Sequence, residues 1–327
     1  MAAGAGDSLA VTDRPGTVVV AVGGNALAPA GENPTIYDQF RYTRQSLSVV
    51  VSLAKAGWRI ALVHGNGPQV GDALVRNELS RMVVEPLPLG VLVASTAGWI
   101  GYMVQQSLQN ALLLAEVDRD VLTVITQTVV GRDDPRLTQA TKPIGHHLNR
   151  QEADEMVSRG VAVGADGNGR LRRLSPSPRP FDVVESDAVK QLVDEGKIVI
   201  AAGGGGPPVY ADQQDRWEGV DAVVDKDLVA AILGRCLAAE ILLILTDVDG
   251  VYRGWGTEMQ ELLSCMDVTQ AEGLIEAGEL GMGSMKPKVE AAVQFVRDGG
   301  ERAIIADLAH GVEAIGGTTG TTIIGEN

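Results

Sequence analysis

RIALVHGNGPQVG, residues 59–71, opens as a buried strand and then abandons strand geometry. Four apolar residues, Ile60, Ala61, Leu62 and Val63, run into His64-Gly65-Asn66-Gly67-Pro68. Two glycines around an asparagine let the backbone turn tightly and bring its N–H groups close to a small ligand. Apolar runs also end in glycine-rich loops at Gly23-Gly24-Asn25 and at Gly203 to Gly206. The loop at 65–67 contains no lysine or arginine, so an anion held there must find its positive charge elsewhere in the chain.

Apolar runs at 17–22, 58–63, 121–129, 197–202, 241–245 and 302–305 read as strands. They alternate with helical patterns at 38–55, 67–79, 98–115, 186–195, 226–237, 269–277, 285–298 and 309–315. Such alternation builds a mainly parallel sheet covered by helices, with ligands at the C-terminal ends of the strands. One glycine loop is often a mere turn; three at successive strand ends point to a ligand cleft. None fits G-x-G-x-x-G with a downstream acid, nor G-x-x-x-x-G-K-[ST]. Residues 131–182 break the alternation with GRDDPRLTQATKPIGHH and then ADGNGRLRRLSPSPRP, rich in turn residues and arginine and poor in core. They read as an excursion or small lid, among the more mobile parts of the protein.

The 327 residues are 45% hydrophobic and 21% charged, as in a globular protein, and carry a net charge of −15. That balance excludes a nucleic-acid surface, which needs a basic stripe. Four Trp, five Tyr and three Phe offer little for base stacking. Cys236 and Cys265 lie outside any metal spacing and read as reduced cytosolic thiols, more core than reactive. The N-terminal stretch 1–16 lacks a basic region followed by an apolar one and reads as a mobile leader. Residues 86–115 carry no charge, yet Gly90, Gly98, Gly101 and the Gln and Asn of the second half make a buried or interfacial helix a better reading than a membrane span.

Two lysines sit where helix electrostatics disfavours them. In DAVVDKDLVAAIL, Asp225 suits an N-cap and Lys226 falls in the first turn; in GSMKPKVEAAVQF, Ser284 suits a cap and Lys288 follows Pro287. A cation at a helix N-terminus costs about 0.3–1 kcal/mol, a sign that a bound anion reverses. The plain alternative is a surface lysine paired with Asp225 or Asp227. Lys286 reads as solvated. Asp247 and Asp249 close the strand LLILTDVDGVY, where they suit a magnesium ion, a ribose or the orienting of lysines; capping a turn at Gly250 is the structural alternative for Asp249. His64, His146, His147 and His310 show no metal spacing, and His64 reads as structural or catalytic.

VVVAVGGNAL, LVHGNGPQVG, GWIGYMVQQSLQNAL, TKPIG, RRLSPSPRPFDVVE, AAGGGGPPV, DAVVDKDLVAAIL, LILTDVDGVY, GSMKPKVEAA and the terminal GTTI occur in this order from about 17 to 324. Together they resemble the amino-acid kinase superfamily, and within it the carbamate kinases. The resemblance implies an open three-layer α/β/α sandwich with a mainly parallel central sheet, two lobes and a small protruding subdomain. It implies an N-terminal lobe at 17–212 for carbamate or carbamoyl phosphate, with the protrusion at 131–182, and a nucleotide lobe at 213–327. It assigns Lys142, Lys226 and Lys288 to phosphate handling and Asp227 to holding such lysines. Gly23, Gly24, Asn25, Gly65, Asn66, Gly67, Gly204 and Gly205 fall in the acceptor site. Lys226, Asp247, Tyr252, Met285 and Lys288 fall in the nucleotide region. ATP or ADP would bring Mg²⁺ on its phosphates, without a dedicated protein metal site. A homodimer is implied; the uncharged helix at 98–115 reads as its two-fold contact, with Gln and Asn side chains pairing across the axis while Trp99, Tyr102 and Met103 fill it, and the protein reads as cytoplasmic.

Related kinases carry K-x-G-G after the first strand; here Ala21-Val22-Gly23-Gly24 lacks the lysine, and TKPIG would supply one instead. Three departures concern acceptor choice. The family often has Pro-Phe where His146-His147 stand, glycine at Lys286 and glutamine at Ala97. The readings left open are a carbamate kinase, a related kinase for another small carboxylate, phosphonate or phosphate, and a silent nucleotide or carbamoyl-phosphate sensor. Carbamate is already an anion and needs no general base, which agrees with the lack of a Ser-His-Asp or Cys-His set.

Overall fold

The computed structural model describes residues 15–24, 34–166, 169–280 and 285–326; the leader up to residue 14, Asn25 and Ser284 lie outside them. The first strand, β1 (Thr17–Val22), is buried throughout. It leads to α1 (Ile36–Ser46), α2 (Ser48–Lys55), β2 (Arg59–His64), α3 (Gly67–Ser80) and α4 (Leu89–Leu114). Then come β3 (Val121–Thr123), β4 (Thr128–Val130), β5 (Ala140–Ile144), α5 (Arg150–Ser158), β6 (Val163–Ala165), β7 (Leu171–Pro176) and β8 (Pro180–Val183). Next are α6 (Ser186–Asp194), β9 (Ile198–Ile200), β10 (Pro208–Ala211), β11 (Trp217–Gly219) and α7 (Lys226–Cys236). The chain continues through β12 (Ile241–Thr246), β13 (Val251–Arg253), β14 (Glu261–Leu263), β15 (Cys265–Asp267) and α8 (Val268–Ala277). It ends with α9 (Met285–Arg297), β16 (Arg302–Asp307), α10 (Gly311–Ile315) and β17 (Thr321–Ile324).

The main sheet runs β15-β17-β16-β12-β1-β2-β9-β3. Its neighbours are parallel except β16 and β17. Alternation along each strand feeds two cores at once. Val18, Val20, Val22, Ile60 and Leu62 pack with Val49 and Leu53 of α2 and with Ile100, Met103 and Leu108 of α4. Val19, Ala21, Ala61 and Val63 face the other way, toward Val189 of α6, Ala230 and Ile232 of α7, and Val289 and Phe295 of α9. Burial on both faces explains why β1 and β2 read as unbroken apolar runs. The result is the expected α/β/α sandwich.

Several elements differ from the sequence reading. The single helix expected at 38–55 is two, broken at Leu47. Just before the break, Thr43 Oγ1 donates to Gln39 O at 2.7 Å and Ser46 Oγ to Tyr42 O at 2.9 Å, back-bonding that bends helices. The strand expected at 121–129 ends at Thr123; Val124 N–H still donates to Ile200 O at 2.9 Å, and beyond it side chains replace ladder partners on this segment and on the one after β9. Glu185 accepts the Gln127 N–H, and Thr126 Oγ1 accepts the Ala202 N–H at 3.0 Å. The chain then re-forms as β4 in a second sheet, β11-β10-β4-β8. The helix expected at 98–115 begins at Leu89; Gly101 is a contact point, where a Cβ would come 2.3 Å from the Thr123 methyl.

The excursion is more ordered than its composition suggests. Strands β5, β7 and β6 form an antiparallel sheet, and α5 opens with a reciprocal Asn149–Glu152 capping box. This unit sits on α3. Ile144 packs with Val70 and Leu74, Gly145 N–H bonds Gly67 O at 3.0 Å, and Arg173 pairs with Glu78. At the crossing two glycines meet: a Cβ on Gly71 would lie 1.9 Å from Gly145 Cα. Backbone against backbone leaves no flexible group to yield. Gly71→Ala is therefore expected to lower stability by about 1–3 kcal/mol and to push the 142–145 turn off α3. Urea unfolding, read with phosphoryl-transfer activity, checks this; an unchanged midpoint and rate would contradict it.

Candidate active site

The C-terminal ends of β1, β2 and β12 open on a cleft of about 1680 Å³. Gly23, Gly24, Gly65, Asn66, Gly67, Gly204, Lys142, Lys226, Asp227, Asp247, Tyr252, Met285 and Lys288 all line it. The loops are glycine because they nearly touch. A Cβ on Gly65 would stand 2.9 Å from Gly24 N and 3.3 Å from Lys226 Cδ. Gly204 adopts φ +68°, and a Cβ there would meet the Asn66 amide at 2.2 Å. Asn66 precedes α3 yet does not cap it; its Nδ2 donates to Thr96 Oγ1 at 2.9 Å. The first-turn N–H groups of α3 are thus left without a side-chain cap, and that end favours an anion. Gly205 is the exception among the expected glycines. Its N–H bonds Ala202 O at 2.9 Å and its carbonyl accepts from Thr128 Oγ1 at 2.6 Å, behind the cleft wall.

Three lysines from three elements meet two aspartates. Asp225 caps α7 with one oxygen, accepting the Asp227 N–H at 2.9 Å, and with the other takes Lys142 Nζ of β5 at 2.5 Å. Asp227 lies between Lys226, with which it pairs directly, and Lys288 Nζ at 3.0 Å. The lysines do pair with aspartates, as the plain alternative held, but they are not surface groups. The Lys226, Asp227 and Lys288 side chains are 12%, 4% and 8% exposed. Burial would raise the Asp227 carboxyl, but the charges of Lys226 and Lys288 outweigh it and hold it below the usual range. Burial likewise opposes the Asp225 carboxylate, and Lys142 overrides it. Lys288 is pushed up against its burial by Asp227 and Asp225, whereas burial lowers Lys226 despite Asp227. Three positive charges against two negative ones leave the floor of an acidic protein's cleft locally positive. Lys286 stands apart, 53% exposed and 3.8 Å from Glu290.

Other lining residues carried no periodic or spacing signal. Trp255 forms an aromatic pair with Tyr252, centroids 5.1 Å apart, and the Tyr252 hydroxyl donates to Asp249 Oδ1 at 2.7 Å. From the excursion come Arg136, Arg170, Arg172, Arg179, His146 and His147. The excursion's arginine-rich composition was visible in sequence; their convergence on the cleft was not. His146 lies 3.8 Å from Asp72 of α3, and His147 bonds Asp166 at 3.2 Å. Cys236 is half-buried, its thiol pushed up by burial, while Cys265 is exposed and so not a core residue. Among the described residues no three His, Cys, Asp or Glu side chains form a metal-binding group, and no helix is long and apolar enough to cross a membrane.

The profile of the amino acid kinase family matches residues 16–307. The chain belongs to that family. A carbamate kinase of Halobacterium salinarum is 45% identical over 308 residues, covering 94% of this chain and 97% of that one. The Giardia lamblia carbamate kinase bound to citric acid superposes with a TM-score of 0.90 at 35% identity, covering 95% of this chain and 98% of that one. The same enzyme bound to AMP-PNP gives a TM-score of 0.85 at 35% identity and the same coverage. The fold and the order of the motifs thus belong to a phosphotransferase.

His64 ends β2 beside this machinery and is 1% exposed. Burial pushes its pKa from 6.5 down to about 4, against the carbonyls of Gly65 and Ala97, which favour the charged ring. The ring is neutral at pH 7, with Nδ1 donating to Gly65 O at 3.0 Å. Because the unfolded chain takes up this proton first, the neutral ring's contribution is complete above about pH 6.5 and is lost as pH falls toward about 4. The loss is worth up to about 3 kcal/mol. Denaturant unfolding between pH 7 and 4.5 should show this decline, with a flatter profile in His64→Gln; equal slopes would remove His64 as its cause.

Proposed function

We propose that the protein is a carbamate kinase, moving a phosphoryl group reversibly between ATP and carbamate to give ADP and carbamoyl phosphate. The observation that carries this reading is the arrival of Lys142, from the excursion, at the buried pairs formed by Lys226, Lys288 and the two aspartates. It answers the absence of a lysine after β1. The acceptor lies at Gly23, Gly24, Gly65, Asn66, Gly67 and Gly204, against the uncapped end of α3. The nucleotide lies along Asp247, Tyr252, Met285 and α9. In terms of the chain, residues 17–212 hold the acceptor and 213–327 the nucleotide. Asn25 belongs with the acceptor loop by sequence.

Carbamate oxygen attacks the γ-phosphorus as the bond to the β–γ bridging oxygen breaks, and ADP leaves. No side chain need remove a proton. Lys226 and Lys288, buried and fixed by Asp227, neutralise charge on the transferring oxygens, while Lys142 faces them from the acceptor side. Asp225 and Asp227 are taken up by lysines, so the donor set suits a magnesium ion that arrives on nucleotide phosphates, with Asp247 the cleft carboxylate to approach it. When bound, Mg²⁺ adds charge neutralisation at the β- and γ-phosphates. Of the family departures, Ala97 is 3% exposed and sits behind Gly203, away from the cleft lining, which supports carbamate as acceptor.

A coupled assay of ATP formation from ADP, Mg²⁺ and carbamoyl phosphate tests the proposal directly. Lys142→Ala, Lys226→Ala and Lys288→Ala are each expected to lower kcat by roughly 10²–10³-fold, the scale for one preorganised charge donor. Lys286→Ala should change it little. Near wild-type turnover in two of the three would overturn these roles.

We further propose a cytoplasmic homodimer, but with a contact shifted from the one expected in sequence. Met103 is 0% exposed and Trp99 packs on the core, so of the three expected contact residues Tyr102 alone is exposed, at 56%. The end of α3 and the α3–α4 connection instead expose Leu79, Met82, Val83, Val84 and Leu87. A patch of this kind marks an interaction face. Sedimentation at micromolar concentration should give a dimer for the wild type and a monomer for Met82→Glu/Val83→Glu. A dimer that survives the double substitution would place the contact elsewhere.

A further inference from the structure

Around the acceptor loops the uncapped N–H groups of α3 and the three lysines supply donors, and the carboxylates of Asp225 and Asp227 are already taken up by those lysines. One neutral acceptor stands apart. Gln69, in the first turn of α3, is 3% exposed and lines the cleft. Its Nε2 donates to Gln39 Oε1 at 3.1 Å, and Gln39 Nε2 donates in turn to the Pro34 carbonyl at 3.4 Å. This chain fixes both amides. A carbonyl can only accept, so Gln39 must offer its NH₂ to Pro34 and its oxygen to Gln69. Gln69 must then offer its NH₂ to Gln39, which leaves its own oxygen, buried in the cleft wall, without a donor from this pair. Among the described residues Gln69 Oε1 has no hydrogen-bond partner. A buried acceptor without a donor is unfavourable, so its place in the site calls for a ligand that brings an N–H or O–H.

Carbamate and carbamoyl phosphate carry such a group. Their oxygens are all acceptors, suited to the lysines and the α3 N–H groups, and their NH₂ is the single donor. We propose that Gln69 selects the acceptor: its side-chain carbonyl accepts a hydrogen bond from the substrate NH₂ and so discriminates against carboxylates bearing a methyl group there. The inference rests on the carbamate kinase reading. Gln39 acts through Gln69, as a positioning residue. A site that hydrogen-bonds a substrate N–H rejects the analogue lacking it, because its own oxygen is then left unpaired.

The test compares carbamoyl phosphate with acetyl phosphate, which places CH₃ where NH₂ stands, in ATP formation from ADP and Mg²⁺ by the full chain. Where acetyl phosphate turnover is undetectable, its inhibition constant replaces it. Gln69→Met is expected to lower kcat/KM for carbamoyl phosphate by roughly 10–100-fold while leaving the acetyl phosphate value within about threefold. Gln69→Glu retains an acceptor oxygen but loses the donor to Gln39 Oε1 and adds a negative charge, so both rates should fall while whatever turnover remains keeps the preference for carbamoyl phosphate. Gln39→Leu frees the Gln69 amide to turn over and should lower the preference by about threefold or more. It keeps the proposal testable if Gln69→Met does not fold. An equal loss for both substrates in Gln69→Met, or an unchanged preference in both Gln69→Met and Gln39→Leu, would make Gln69 structural and overturn the inference. A wild type that makes ATP from acetyl phosphate and not from carbamoyl phosphate would overturn the carbamate reading itself, and the inference with it.

Discussion

A buried carboxylate between two buried lysines governs the rest of this structure. Asp227 is 3% exposed and holds Lys226 and Lys288 on opposite oxygens. Taking these charges out of water is costly, and an apolar triplet of the same shape would often be more stable. The arrangement makes sense as preorganisation. Lysines held in place by a buried carboxylate would not need to reorganise if phosphate charge developed between them, as the proposed transfer requires. Removing the carboxylate alone would strand two ammonium groups, the circumstance in which a broken buried pair costs about 3–5 kcal/mol. The folding cost of the site is therefore bound to its chemistry, and the α7 and α9 N-termini must approach each other for either to be satisfied.

The third lysine is positioned by different means. Lys142 reaches Asp225 from a strand of the excursion, whose seat on α3 depends on Gly71 and Gly145 lacking side chains. Gly145 is gripped on both sides, its N–H by Gly67 of the acceptor loop and its carbonyl by Arg172. The turn that follows Lys142 is thus tied to the loop that would hold the acceptor. A displacement at either reaches the other through a single hydrogen bond.

Much of this was legible in the sequence, and the limits have physical causes. β1, β2, β12 and β16 read correctly because burial on both faces makes a continuous apolar run. α7 read correctly because Asp225 is a true cap. β3 read too long because the backbone partners that end it, Glu185 and Thr126, are side chains distant or invisible in an apolar pattern. The excursion looked structureless because its strands are half-buried against one another and against α3, so no run of apolar residues announces them. Its helix α5 was nevertheless written in Asn149 and Glu152. Of the site, Lys226 and Lys288 were visible as electrostatic misfits at helix starts and Lys142 only through the TKPIG motif, whereas Trp255 and the pairing of Gln69 with Gln39 depend on tertiary placement alone.

The charge balance gives the last step. A chain of net charge −15 repels small anions at long range, and the cleft overcomes this only nearby. At 0.15 M ionic strength the Debye length is about 8 Å, so the distant acidic surface is largely screened while the buried lysines are not. The local field seen by a phosphate is then set by the groups that line the cleft: the uncapped end of α3, the Lys226–Asp227–Lys288 triplet, Lys142 with Asp225, the carboxylate of Asp247, and Arg136, Arg170, Arg172 and Arg179 of the excursion. At the floor the three lysines exceed Asp225 and Asp227 by one charge, which Asp247 opposes from beside Lys288. An enzyme that runs a transfer in both directions needs this restraint, because binding either phosphorylated partner too tightly would slow its release without lowering the barrier between them.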